Sequence, residues 1–326
     1  MSSSKLKTLR LYDIFKEYTD SEHRVTADRL CSLLKTEYGI IAERKSIYRD
    51  IDALIEYGAD IQKTPTGYYL GAREMQPAEI RLLVSAVQSA SFITEAKTRQ
   101  LIRKLTGDSS KYQKSELLKQ KNLGSIKYSN EEIYSNIDAI NKAISLRRKI
   151  SFYYYKKDLR KRDEVQHNGL SYLASPYAMI WDRDRYYLVC NLEGHDDLTH
   201  FRLDRIRHIY CESIPWRHFR EVSEYKTTFD ASDYALNCIN MFGGEVVEVE
   251  LLCKRERINE IVDRFGTKVP VQRVDEDHFR TIVNVAMSNG FLAWVAQYFD
   301  TIEIVRPASA RDKIKSMLRS ALEQYE

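Results

Sequence analysis

The sequence predicts an α+β protein of several domains. Its 326 residues exceed what one hydrophobic core usually organises. Apolar residues recur at helical spacing through the first part of the chain, and from Lys149 they alternate with polar ones as in β-strands. In the last hundred residues the apolar pattern switches between helical and strand spacing. The predicted domains are a helical unit with a hairpin at 1–72, a helical connector at 73–148, a small β-barrel at 149–214 and an α/β sandwich at 225–326.

Composition and charge exclude several classes of protein. With 43% hydrophobic residues, 12 Gly and 6 Pro, the chain is neither fibrous nor disordered. The net charge of +4 is too small to identify a nucleic-acid binder. No apolar stretch reaches the roughly 18 residues of a membrane span, and the N-terminus lacks the apolar core of a secretory signal. Five widely spaced cysteines without a C-x-x-C pair suit a reducing compartment. We therefore expect a cytoplasmic protein that does not contact the membrane.

The first seventy residues have the order helix, helix, turn, helix, hairpin. Thr26 is the predicted N-cap of a helix at 27–38 that ends at Gly39. A third helix runs from about Glu43 to Tyr57, and two short strands then flank a turn at Pro65–Gly67. This order is the plan of a winged helix-turn-helix.

The third helix carries its charges in an order that the helix dipole disfavours. Its basic side chains occupy the first half, and Asp52 and Glu56 follow. A helix that meets phosphates and base edges with its N-terminal turns needs this reversal. The expected DNA contacts are Lys45, Ser46 and Arg49 at base edges, and Arg44, Tyr48 and Lys63 at phosphates. Over residues 1–70, however, 11 basic residues balance 11 acidic ones, so a structural bundle with solvated charges is the alternative.

Two motifs in this region resemble the winged helix-turn-helix of WYL-domain transcriptional regulators. They are Ser46-Ile-Tyr-Arg-Asp-Ile-Asp-Ala-Leu54 and Gly67-Tyr-Tyr-Leu70. The recognition helix of that family typically reads R-T-I-Y-R-D-I-x-x-L, and its wing closes with G-G-Y-x-L. Lys45 and Ser46 stand where Arg and Thr are usual, and Thr66 replaces the first wing glycine. The resemblance implies a double-stranded DNA operator as partner.

Two later segments are strongly basic. Residues 97–127 hold nine Lys and Arg against two acids, and residues 142–162 hold nine against one. Such runs attract polyanions. A flexible solvated connector explains residues 107–128 equally well, and the sequence leaves open whether they are ordered.

The alternating pattern after Lys149 predicts a small barrel. The five predicted strands are 150–155, 178–181, 185–191, 199–203 and 206–211. Phe201 and Leu203 are expected to pack inward while Arg202 points out. Tyrosines and arginines that share one barrel surface could stack on bases and neutralise phosphate. The alternative is ordinary barrel packing in which Arg202 pairs with Asp204 or another acid.

Three motifs make this segment resemble the WYL domain, an Sm-like or SH3-like barrel. They are Ser175-Pro-Tyr-Ala-Met-Ile-Trp181, Arg185-Tyr-Tyr-Leu-Val189 and Phe201-Arg-Leu-Asp-Arg-Ile206. The tripeptide that names the family appears as Tyr186-Tyr187-Leu188. The resemblance implies an effector-sensing module for a nucleotide or a single-stranded nucleic-acid fragment. Its candidate ligand-binding residues are Tyr153, Tyr155, Tyr177, Tyr187, Arg202 and Arg205.

The C-terminal segment has the predicted order β-α-β-β-α-β-α from Glu245 onward, which is close to a ferredoxin-like sandwich. It resembles the extension that accompanies many WYL domains. Because that extension is often associated with dimer contacts, the resemblance implies a homodimer.

Known catalytic motifs do not occur in the sequence. It contains no G-x-x-x-x-G-K-[ST], no H-E-x-x-H and no G-x-S-x-G. His195 and His200 lie near Asp196 and Asp197 but lack metal-ligand spacing. We therefore expect no catalytic residue, no metal and no cofactor, and predict a ligand-responsive, sequence-specific regulator, most simply a repressor. The alternatives are an accessory protein that uses the barrel on single strands without an operator, and an enzyme that acts on nucleotides.

Overall fold

The computed structural model describes residues 3–119 and 127–326. They form two compact units, Met1–Ser129 and Asn130–Glu326. The sequence left the order of residues 107–128 open, and residues 120–126 of that stretch lie outside the described residues.

The N-terminal unit begins with three helices and a hairpin. They are α1 (Ser3–Tyr18), α2 (Ala27–Tyr38), α3 (Arg44–Glu56), β1 (Ile61–Thr64) and β2 (Gly67–Leu70). The bounds predicted for α2 are confirmed, because the Thr26 side chain accepts a hydrogen bond from the backbone N–H of Arg29 and Gly39 ends the helix at a φ of 66°. Leu11, Phe15, Leu30, Leu34, Ile47 and Ile51 form a fully buried core among these helices.

The hairpin is fixed to the helices by a backbone bridge. The N–H of Val25 donates to the carbonyl of Tyr68 at 2.9 Å, and the N–H of Tyr68 donates back at 2.8 Å. Gly67 begins β2 at a φ of 138°, and a Cβ there would lie 2.5 Å from the Val25 carbonyl oxygen. The wing glycine is therefore required both by its backbone conformation and by this close approach.

Three further helices complete the unit: α4 (Pro77–Ser89), α5 (Glu95–Leu105) and α6 (Lys111–Lys119). The Arg73 guanidinium joins them to α1, donating to the carbonyl of Lys16 at 3.0 Å, to that of Thr19 at 2.6 Å and to that of Asp108. The His23 ring stacks on Tyr112 of α6 at 3.6 Å.

The second unit opens with a helix on a curled antiparallel sheet. The elements are α7 (Ile133–Leu146), β3 (Arg148–Lys157), β4 (Asp163–Val165), β5 (Tyr172–Asp182), β6 (Arg185–Leu192), β7 (Leu198–Arg202) and β8 (Ile206–Pro215). Strands β8, β3, β5, β6 and β7 pair in that order, and β4 pairs with the far end of β3. The sequence missed β4, which is three polar-rich residues long. It also began β5 six residues late, because Pro176 interrupts the pattern where the structure has a bulge.

The rest of the second unit is a short helix followed by a second sheet. The elements are α8 (Ala231–Asn237), β9 (Val246–Lys254), α9 (Ile258–Phe265), β10 (Val271–Arg273), β11 (His278–Ala286), α10 (Asn289–Ala296), β12 (Ile302–Arg306) and α11 (Ala308–Glu323). The strands pair antiparallel in the order β10, β11, β9, β12. From β9 onward the observed order β-α-β-β-α-β-α is the predicted one. Val249, Leu251, Val285, Phe291 and Val295 form the buried core of this sheet and its helices.

Replacing Gly67 by alanine is expected to destabilise the N-terminal unit by at least about 2 kcal/mol, since it combines backbone strain with a steric clash. Gly39→Ala is the matched control, because Gly39 also has a positive φ but nothing lies within 4 Å of an added Cβ. Chemical denaturation of both variants measures the difference. Equal losses of stability would contradict the steric role of Val25.

Candidate functional site

The outer face of α3 presents the residues predicted to bind DNA. Ile47, Ile51 and Leu54 are buried against the unit's core. Lys45 and Arg49 lie on the opposite, exposed face, and neither forms an ion pair with a residue in the described ranges. The N-cap position, Glu43, makes no side-chain capping bond. The N–H of Ser46 donates to the Glu43 carbonyl at 2.9 Å, whereas the N–H groups of Arg44 and Lys45, the first two of the helix, have no partner within it and can bind an anion together with these cations.

Three of the other predicted DNA contacts form ion pairs or hydrogen bonds within the protein. Arg44 pairs with Asp28 of α2, and Lys63 of the hairpin pairs with Asp52 at 2.9 Å. Ser46 accepts a hydrogen bond from Lys7 of α1. Tyr48 is exposed, and its ring lies 6.5 Å from that of Tyr68 in the hairpin. The structure thus brings all six residues to α3 and the adjacent hairpin, with Lys45 and Arg49 as the uncommitted cations.

A cavity of about 570 Å³ in the second unit collects positive charge. Its wall includes the turn between β5 and β6, the end of β7 and a short 3-10 helix at Ile239–Met241. Four arginines line it, together with two tyrosines and two acids: Arg183, Arg185, Arg202, Arg205, Tyr154, Tyr187, Asp182 and Asp184. Cations next to aromatic rings suit a planar, phosphorylated ligand.

Arg202 is buried in this wall, which corrects the expectation that it points out to solvent. Its guanidinium binds the carboxylate of Asp204 at 3.0 and 2.8 Å, and only 9% and 2% of the two side chains is exposed. The alternative pairing of Arg202 with Asp204 is therefore confirmed. Removing either partner would leave a buried, unpaired charge.

Arg205 and Arg185 are better placed to meet a ligand. Arg205 lies beside the hydroxyl of Tyr154. Burial raises the pKa of this hydroxyl above its ordinary value, and the nearby charge of Arg205 offsets part of that rise. Arg185 comes no closer than 3.7 Å to Asp184, and its Nε is buried without a hydrogen-bond partner among the described residues. A buried donor of this kind has unused hydrogen-bonding capacity.

Three of the six residues predicted to bind the ligand lie elsewhere. Tyr177 is buried in an aromatic cluster with Trp216 and Phe219, and its hydroxyl donates to the carbonyl of Arg217 at 2.7 Å. Tyr153 and Tyr155 do not line the cavity, since strand alternation places them on the opposite face of β3 from Tyr154. The cavity therefore brings together Tyr187, Arg202 and Arg205 of the predicted set.

Sequence reasoning missed Tyr154, Arg183, Arg185 and the turn at Ile239–Met241. The alternation of β3 carried the signal for Tyr154, and Arg185 opens one of the quoted motifs. The turn comes from a distant segment of the chain, so no local pattern could place it at the cavity.

A neighbouring cavity of about 870 Å³ has the opposite character. Its rim carries Asp196, Asp197, Glu224 and Glu245, and it shares His200 with the first cavity. Four carboxylates disfavour a phosphorylated ligand, so the arginine-lined cavity is the candidate ligand site.

No helix in residues 3–119 and 127–326 is long and apolar enough to cross a membrane. Nor do these ranges contain a group of three His, Cys, Asp or Glu side chains that could hold a metal ion.

The WYL domain family model matches residues 135–211, from α7 to β8. The chain contains a WYL domain. The WCX domain model matches residues 245–322, which hold the second sheet and its helices. The arginine-lined cavity is therefore built mainly by the WYL domain, with one wall from the segment that leads into the WCX domain. No protein of curated function matches the chain.

Among the solved structures that match, two are similar over 99% of the chain. Proteasome accessory factor B/C (PafBC) of Arthrobacter aurescens has 17% sequence identity, a TM-score of 0.29 and 49% of its own length covered. A CRISPR Cas-related protein has 10% identity, a TM-score of 0.37 and 84% of its length covered. The chain thus spans about half the length of PafBC.

Acid is expected to weaken the second unit through His200. Burial lowers the pKa of His200 to about 4, and its Nε2 lies 2.8 Å from the Tyr234 hydroxyl. The folded state disfavours the charged imidazole, so protonation of His200 favours unfolding. The stability contributed by the neutral ring is complete above pH 6.5 and is lost progressively as the pH falls toward 4.

Thermal unfolding at pH 7 and pH 5 tests this expectation. The difference between the two midpoints should shrink in His200→Gln and stay unchanged in His195→Gln, an exposed histidine of the preceding loop. An undiminished difference in His200→Gln would refute the assignment.

Proposed function

We propose that this protein is a sequence-specific transcriptional regulator that binds duplex DNA through α3 and senses a nucleotide or nucleic-acid-derived ligand in the WYL cavity. The observation that carries the proposal is the pair of exposed, uncommitted cations, Lys45 and Arg49, on the outer face of α3 beside its uncapped N-terminus. A recognition helix needs such side chains to reach guanine edges and phosphates.

In this proposal the N-terminal helices and hairpin, residues 1–72, act as a winged helix-turn-helix, and residues 73–148 connect them to the WYL barrel at 149–214. Residues 225–326 form a ferredoxin-like sandwich, supported by the element order and by the antiparallel strand order β10, β11, β9, β12. The sandwich joins two copies into a homodimer, which then reads a palindromic operator. Sedimentation of the full chain tests the dimer.

The proposed action is repression that the ligand relieves, and the protein catalyses no reaction. The ligand changes operator affinity only if it binds one arrangement of the dimer better than the other. A reporter gene placed behind an operator, selected from genomic fragments that the protein binds, shows whether the ligand raises or lowers transcription.

Arg49→Ala is expected to lower operator affinity at least tenfold, because a bidentate arginine contact to a base is worth about 1–3 kcal/mol of discrimination and its loss also removes a charge. Operators are first obtained by selecting genomic fragments that the unaltered protein binds, and affinity is then measured by fluorescence anisotropy. Arg99→Ala on α5 is the control, since that arginine is also exposed in the same unit. Unaltered binding by Arg49→Ala would exclude α3 as the reading helix.

Arg205→Ala is expected to abolish nucleotide binding while leaving operator binding intact. Calorimetric titration with a panel of nucleotides measures the effect, and Arg220→Ala, an exposed arginine of the same unit, is the control. Arg205 is preferred to Arg202, whose removal would also break the buried ion pair. Turnover of any panel member, with or without Mg²⁺, would favour the enzyme instead.

A further inference from the structure

The second sheet ends at β12, whose outer side pairs with no other strand of the described residues. On its inner side, the N–H of Lys254 in β9 donates to the carbonyl of Thr301 at 2.8 Å. In an antiparallel pair, the backbone groups of successive residues point alternately toward the neighbouring strand and away from it. The backbone of Glu303 therefore points toward β9, whereas the carbonyl of Ile302 and both backbone groups of Ile304 point outward.

A bulge limits the length of this free edge. The register of β12 with β9 shifts between Ile304 and Arg306, so the regular part of the edge is short. Short and bulged edges disfavour pairing with a long strand of another sheet. The outward groups of Ile302 and Ile304 still offer backbone hydrogen bonds to a short extended chain.

A groove of about 460 Å³ runs beside the free edge. Its first wall is the run of consecutive residues 299–304, which is the pattern of a strand that presents its edge rather than one face. Its second wall is α11, which contributes side chains three and four residues apart over about 10 Å of helix: Arg311, Ile314, Lys315 and Leu318. An extended chain of about three residues spans the same length.

Apolar side chains of this groove remain accessible. Phe299, the first residue of the strand wall, is 77% exposed, and Leu318 of α11 is 44% exposed. Ile302 and Ile304 are buried, and Ile314 packs against the same core. The groove therefore offers apolar surface directly beside unpaired backbone groups, and both favour an extended chain with aliphatic side chains.

The charges of the groove that lack a partner are positive. Glu303 is neutralised by Arg311 at 2.6 Å, and Asp300 interacts with an arginine outside the groove. Lys254 and Lys315 are exposed and form no ion pair with a residue in the described ranges. Charge complementarity therefore favours carboxylates in the occupant.

We propose that β12 and α11 bind a short extended peptide that adds a strand to the second sheet and alternates aliphatic with acidic side chains. The peptide residue opposite Ile304 shares its face of the sheet, so an aliphatic side chain there lies on the side of Ile314. The peptide residues before and after it point to the other face, where Lys254 lies and carboxylates are favoured. Backbone hydrogen bonds supply affinity, and the alternate side chains supply specificity. The groove lies wholly within the second sheet and its helices, so the proposal does not rest on operator binding or on the cavity ligand.

The test uses the full-length protein and the fluorescein-labelled peptide EVEVEVE, with binding measured by anisotropy. The peptide EEEVVVE has the same composition without the alternation and should bind about tenfold more weakly. Equal affinity of the two peptides would overturn the proposal.

N-methylation of the peptide tests the backbone hydrogen bonds. Only every second N–H of an added strand faces β12. Methylation of the three valines and methylation of the last three glutamates should therefore differ in effect about tenfold, because only one set removes hydrogen bonds to the protein. Equal effects of the two sets would contradict strand addition.

The apolar wall is tested by Leu318→Glu, which should weaken binding of EVEVEVE about fivefold because it removes apolar contact and repels the carboxylates. Leu322→Glu is the matched control, since Leu322 is also an exposed leucine of α11 and lies outside the groove. Normal peptide binding by a folded Leu318→Glu variant would overturn the proposal.

The basic side chains are tested by Lys254→Gln/Lys315→Gln, which should lower both the affinity and its dependence on salt. The control is Lys313→Gln/Arg319→Gln, at exposed cations of α11 outside the groove. Equal losses in the two double variants would contradict recognition by the groove.

Two further measurements distinguish other occupants. Sedimentation that shows a dimer separating into monomers in Leu318→Glu would assign the groove to a second copy of the chain. Displacement of EVEVEVE by an equal concentration of decanoate would assign it to a small amphiphile. Either result would overturn the proposal.

Discussion

The buried ion pair between Arg202 and Asp204 organises the WYL domain. It closes the corner between β7 and β8, and the backbone N–H of Arg202 also donates to the Tyr154 hydroxyl at 3.4 Å. The Asn130 side chain donates to the carbonyls of Asp204 and Ile206, and the Asn136 side chain also donates to the Ile206 carbonyl. A buried pair of this kind adds little net stability. Its consequence is geometric, because one corner fixes α7, β3 and the cavity wall relative to each other.

The charged side chains of α3 fall into two groups, those that form ion pairs within the N-terminal unit and those that do not. Asp50 on its inner side binds Lys7 at 2.8 Å and Thr8 at 2.9 Å, which fixes α1 against α3. The positive charges near its start then divide, since Arg44 is neutralised by α2 while Lys45 and Arg49 are not. Opposite charges held inside the unit set the orientation of the helix, and the unpaired cations remain available for a polyanion.

Strand alternation separates two surfaces of different character on β3. Tyr154 contributes to the arginine-lined cavity, while Tyr153 and Tyr155 contribute to the outer face with Arg207 and Tyr210. One strand therefore contributes to two surfaces because successive side chains point to opposite sides of the sheet.

The sequence by itself determined the secondary structure wherever local chemistry decides it. The Thr26 cap and Gly39 set the bounds of α2, and hydropathy periods gave the element order of the C-terminal sheet. Long-range packing decided the rest. The turn at Ile239–Met241 reaches the arginine-lined cavity from a distant part of the chain, and the exposed side chain of Tyr210 follows a bulge in the pairing of β8 with β3. Local patterns encode which residues can form an element, whereas contacts between remote segments decide which surface each side chain reaches.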